Sequence, residues 1–174
     1  VQRGIRFVNG RRQVLVQDEV KKQDKEIQWR VQTNATVTLS DDKKTATLEI
    51  NKVIDPNASI KQFTANIPPV KMKATILSPD NAQFEAGPAY DKKPKMPNYY
   101  YGADAIPKQG TDDNGHAINP EVPDLEVTVL SITLPGDVDT NIQVWWQPEY
   151  AEAIDADKNP PKSVALSDWS LTSH

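Results

Sequence analysis

The chain has 174 residues, of which 37% are hydrophobic and 25% charged, with 14 prolines and a formal charge of -4 from 20 Lys+Arg against 24 Asp+Glu. That length suits one domain, expected over 1–174, and is short for two complete cores. No segment gathers enough basic residues to follow a phosphate backbone, no apolar run approaches the ~18–20 residues of a membrane span, and there is no cysteine, so nucleic acid, a membrane and thiol chemistry are not expected.

Gly4 to Val8 and Gln13 to Val20 read as two β-arms around Asn9-Gly10, a dipeptide that tolerates positive φ at both centres of a type I′ turn. In the second arm Val14, Val16 and Val20 share a face, and Asp18 falls in phase with them. A carboxylate there either caps a turn where the strand ends near Gln17 or points inward and needs a partner. The residue pattern leaves both open.

EIQWRVQTNATVTLS then places Ile27, Trp29, Val31, Thr33, Ala35, Val37 and Leu39 at odd positions and polar residues at even ones. One straight strand of that length exceeds the usual 3–10 residues, so a bend is expected near Thr33-Asn34. Ser40 to Lys44 reads as a polar turn, after which Thr45 to Ile50 resumes the alternation. Val70 to Leu77 forms another strand with lysines outward, and Asn81 to Glu85 adds a short one.

Regular pattern is absent across 87–123, which holds six prolines, the triplet Tyr99, Tyr100 and Tyr101, and an Asp-Asn-Gly at 113–115. An excursion that long is functional or wraps the surface. From Leu125 the rhythm returns with a change of phase between Val129 and Leu130, the signature of a bulge or of a strand passing between environments. Ile142, Val144 and Trp146 make the last strand, with Trp145 facing the other way, and the tail 148–174 is Pro-rich and aperiodic. The fold class expected is all-β, an antiparallel β-sandwich with one long Pro/Tyr-rich loop.

The segments GRRQVLVQDEV, EIQWRVQTNATVTLS, IQVWWQPEY and SVALSDWSLTSH resemble, in order, strands of the carboxy-terminal β-sandwich of heparinase II/III-like polysaccharide lyases of fungal type. The resemblance implies that an amino-terminal α/α toroid, which carries most of the catalytic residues of that family, is the partner, and that the parent protein is secreted. A chain that begins at Val1 inside a strand pattern fits a piece of something longer. The resemblance also implies that Asp18 matches the family's strand-borne acid and Gln32 its histidine, positions that hold a structural zinc in some members. Glutamine is a poor zinc ligand beside imidazole, so neither a metal nor another cofactor is expected.

β-Elimination on a uronic-acid polymer needs a base and an acid held in concert. The only histidines, His116 and His174, fall in a loop and at the terminus, and no nucleophile elbow, phosphate loop or HExxH appears, so no catalytic residue is expected. Saccharide contact is a better fit to Trp145 and Tyr99, Tyr100 and Tyr101, with Arg30, Lys71, Lys73, Lys92, Lys93 and Lys95 as available cations for an acidic polysaccharide. Asn34 and Asn57 head glycosylation sequons. Two other classes stay open: an independent carbohydrate-binding module or lectin, and an adhesion-type sandwich without a sugar ligand.

Overall fold

In a computed structural model of the chain, the structure describes residues 1–53, 65–89, 110–111, 117–118 and 127–170. The strands are β1 (Gln2–Val8), β2 (Gln13–Val20), β3 (Ile27–Thr33), β4 (Thr36–Leu39), β5 (Thr45–Val53), β6 (Ala65–Ser78), β7 (Phe84–Pro88), β8 (Gly110–Thr111), β9 (Ala117–Ile118), β10 (Thr128–Leu134) and β11 (Thr140–Pro148). They form a six-stranded sheet in the order β1-β2-β11-β6-β5-β4, a three-stranded sheet β3-β10-β7 and a two-stranded ladder β8-β9, with antiparallel pairing throughout. The two larger sheets pack as a sandwich. The only helical pieces among the described residues are two 3-10 turns, Asp155–Lys158 and Leu166–Asp168.

Asn9 and Gly10 both take positive φ, as that dipeptide allows. The turn is nevertheless not the two-residue hairpin that the dipeptide suggests: Val8 pairs with Gln13, so the loop spans Asn9 to Arg12, and Arg11 also has φ of 66°. The long alternating stretch breaks at Asn34-Ala35, where Thr33 Oγ1 accepts the Ala35 N–H at 3.1 Å and lets the chain pass from the small sheet to the edge of the large one. Ser40 to Lys44 makes the expected turn, closed by Ser40 Oγ and the Asp42 carboxylate.

Of the two causes open for the phase change at Val129–Leu130, a bulge is excluded. β10 keeps an unbroken register against both β3 and β7, and as the central strand of three it buries both faces, with Val129 and Ser131 on one and Leu130 and Ile132 on the other. Register shifts occur instead between β11 and β6 at Gln143/Val144 and between β5 and β6 at Ile50/Lys52. Within the span 87–123, Gly87 and Pro88 complete β7 and the short β8-β9 ladder forms. Tyr99, Tyr100, Tyr101, Asn57, His116, His174, Lys92, Lys93 and Lys95 lie outside the described residues.

The core follows from the strand alternation. Val20, Ile142, Val144, Ala74, Ile76, Ala46 and Leu48 from the large sheet meet Ile27, Trp29, Phe84, Leu130 and Ile132 from the small one. Trp29 is central: its ring lies 6.4 Å from Phe84 and 6.4 Å from Trp146, both tilted, as aromatic quadrupoles favour. Gly136, in the turn after β10, is required by close approach, because a Cβ there would overlap the Lys25 backbone carbonyl. The Gly136 carbonyl in turn accepts the Gln23 N–H at 2.7 Å and pins the β2–β3 connection to the β10–β11 turn.

Candidate functional site

Among the described residues three strands face six, so part of the large sheet has no described sheet above it. The register places Ile5 opposite Val16 and Phe7 opposite Val14, and Val16 is next to core Val144, so all four lie on the core-facing side. Trp146, Met72, Val70 and Ile50 continue that side across β11, β6 and β5. Ile5 is 66% exposed, Phe7 67% and Val70 54%, although each sits in the apolar phase of its strand. This is a contiguous apolar strip at one end of the sheet, and patches of that kind mark interaction sites.

Beside the strip runs a groove of about 370 Å³ between the unpaired edge of β3 and the β1–β2 hairpin. Val1, Arg3, Asp18 and Val20 line one wall and Ile27, Gln28, Trp29 and Arg30 the other. Trp29 Nε1 is buried without a hydrogen-bond partner among the described residues. Asp18 is 2% exposed and points inward, so the turn-capping alternative is excluded. Arg3, directly opposite on β1, holds it through Nε at 2.7 Å and Nη2 at 2.8 Å, a fork matched to a carboxylate. The same contact raises the Arg3 guanidinium above its ordinary value.

The resemblance paired Asp18 with Gln32. The structure does not bring them together, because Gln32 is exposed on the solvent side of β3 while both Asp18 oxygens are taken by Arg3. Among the described residues no three His, Cys, Asp or Glu side chains group as metal ligands would. Arg30 is exposed on the groove rim, whereas Lys71 and Lys73 are paired with Glu49 and Glu149. Asn34 is exposed at the bend, a position open to a glycan.

Trp145, which could pack a second face or serve as an exposed saccharide platform, lies on a packed face. It is 5% exposed, and its Nε1 donates to Gln13 Oε1 at 3.0 Å. The cover is the Pro-rich tail, which runs as a strap over the outer face of the large sheet. Gln13 Nε2 and Gln147 Nε2 donate to the Asp157 carbonyl, Gln17 Nε2 to the Val164 carbonyl, and Gln143 Nε2 to Gln17 Oε1 and Ser163 Oγ. Farther along, Glu19 Oε1 accepts the Leu166 N–H at 2.7 Å. Gly4 is required beneath this segment, since a Cβ would overlap the Leu166 and Trp169 side chains. Sequence reasoning allowed a second packed face at Trp145 but missed the tail that covers it, because buried glutamines in phase with each other look like a solvated strand side.

The strap begins at a charged clasp. Arg12 donates to Asp157 from Nε at 2.9 Å and Nη2 at 2.8 Å, reaches the Glu152 carbonyl, and stacks 4.1 Å over the Tyr150 ring. Its guanidinium, followed by the Ile154 N–H, holds the Asp157 carboxyl below the usual aspartate value of 3.8. A lowered folded-state value means that the clasp stabilises docking above the unfolded value and is lost as pH falls through the folded one. Acidification below about pH 3.8 is therefore expected to lower the protection of amides in 150–170 against exchange, relative to their intrinsic rates, ahead of β11, and Asp157→Asn to remove that pH dependence. The charged neighbours of the clasp are Glu152, Asp155 and Lys158, the last two paired with each other at 3.2 Å.

The class defined by these features is an antiparallel β-sandwich of unequal sheets, with one face strapped and one half-covered. No protein-family model matches the sequence, and a search of curated proteins gives no match.

Proposed function

We propose that this chain is the non-catalytic β-sandwich of a secreted heparinase II/III-like polysaccharide lyase, supporting an amino-terminal catalytic portion. The observation that carries the reading is the exposed apolar end of the large sheet, which no other described strand covers and where Ile5, Phe7 and Val70 stand more than half exposed beside Trp146 and Met72. Leaving that surface in water forgoes roughly 25 cal/mol for each Å² of apolar area, which a packed partner domain would recover. The resemblance of the four quoted segments names the partner as a toroid. Contact with an acidic polysaccharide has weaker support, because Lys71 and Lys73 are already paired and Trp145 is covered.

Intact mass of the native material tests this directly. An associated amino-terminal polypeptide is expected, and a lone 19.4 kDa species at native abundance would overturn the proposal. Incubation of this chain alone with alginate, glucuronan or heparin is expected to give no unsaturated product by ultraviolet absorbance. Phe7→Asp with Ile5→Asp is expected to change stability by no more than about 0.5 kcal/mol each, as for exposed positions, yet to abolish association with the catalytic portion in a size-exclusion assay.

A further inference from the structure

The strap contacts have an unusual character: most of them read main chain. Besides the glutamine contacts, Asn9 Nδ2 and Arg6 Nη2 donate to the Asn159 and Lys162 carbonyls at 3.2 and 3.1 Å. Sequence-dependent recognition is concentrated at the ends, in the Arg12–Asp157 fork and in the packing of Leu166 and Trp169 on Gly4 and Arg6. A surface that reads carbonyls and one carboxylate recognises an extended acidic peptide, whichever chain supplies it.

The floor beneath the strap also differs in chemistry from the sandwich core. Gln13, Gln17 and Gln143 are 2%, 0% and 1% exposed and share that face with Leu15 and Trp145, so opening would uncover three amides and two apolar side chains. The amides regain partners from water, whereas the apolar pair is left to be covered again, by the chain's own strap or by that of another copy. Residues 151 to 155, which join β11 to the clasp, are exposed and offer a hinge. Charge favours rebinding at the strap entrance, where the Asp157 carboxylate meets the Arg12 guanidinium of the hairpin.

We propose that the outer face of the large sheet is a peptide-docking site, and that residues 150–170 of a second copy occupy it in exchange for the chain's own strap. The two copies then share the strap contacts made from Asp157 onward, and the new geometry, with the contacts of Glu152 and Ile154, is confined to the hinge.

The test uses the full chain in tagged and untagged forms, mixed at high concentration, with capture through the tag and a synthetic peptide of residues 150–170 as competitor. Co-capture is expected, blocked by that peptide and blocked about tenfold less effectively by the same peptide carrying Asp157→Asn, the loss typical of one charge-assisted hydrogen bond. Fluorescence anisotropy of the labelled peptide against the untagged chain gives the same ranking without relying on dimer formation. Phe7→Asp, which alters the apolar strip on the opposite face, is expected to leave co-capture unchanged. Failure of the labelled peptide to bind, co-capture insensitive to the peptide, or co-capture lost in Phe7→Asp would each overturn the proposal.

Discussion

Replacing Arg3 by Ala is expected to destabilise the sandwich by about 3 kcal/mol, while Asp18→Asn costs about 1 kcal/mol, an asymmetry measurable by urea denaturation. The reason lies in the unequal exposure of the pair: the Asp18 side chain is 3% exposed and the Arg3 side chain 53%. Losing Arg3 strands a carboxylate beside Trp29, Val20 and Ile142. Losing the carboxylate leaves a guanidinium that is already half in water. The arginine effect is placed at the low end of the range for broken buried pairs, because the open groove lets water reach Asp18 once Arg3 is gone. Equal effects from the two substitutions would mean that the fork adds nothing beyond surface electrostatics.

The same pair shows why part of the site was hidden in the sequence. A two-residue turn at Asn9-Gly10 would pair Val8 with Arg11 and therefore set Val1 opposite Asp18. The four-residue loop shifts the register by two, so that Arg3 stands there instead. A shift of two preserves which face each residue occupies. The inward phase of Asp18 could therefore be read from alternation alone, whereas its partner could not. The strands themselves, a bend near Thr33-Asn34 and the apolar phase of Trp29 and Trp146 were legible for the same reason: each depends on period and turn chemistry, which are local.

What covers each face is a non-local fact, and there the sequence was silent. The tail was read as aperiodic, and it is; its lack of rhythm reflects recognition through carbonyls rather than through alternating side chains. Glutamines at 13, 17 and 143 carry no apolar signal, yet they are among the most buried residues of the chain because strap and sheet satisfy their amides. Conversely, Ile5 and Phe7 carry the apolar signal of a core and are left open, since three strands cannot span the width of six. The two departures have opposite sign and one origin: the large sheet is strapped on its polar face and only half covered on its apolar one.

Trp145→Ala separates a structural tryptophan from a sugar-binding one. Its ring is 5% exposed under the strap and its Nε1 is bonded to Gln13 Oε1, so truncation is expected to cost about 3 kcal/mol, the lower end for an aromatic in a core. The lower end applies because the strap is a terminal segment able to settle into the space, and because Gln13 Oε1 keeps the Asn9 amide at 2.6 Å. For a chain of this length the loss corresponds to a fall in Tm of about 6–12 °C. A carbohydrate platform makes the opposite prediction, an unchanged melting temperature with binding to a glycan array abolished. Trp29→Phe keeps an aromatic ring against Phe84 and Trp146 and removes the indole N–H that has no partner among the described residues. It is expected to melt closer to the parent chain than Trp145→Ala does. Reversal of that order would place the weight of the fold on the strap-free side and return Trp145 to the list of candidate ligand contacts.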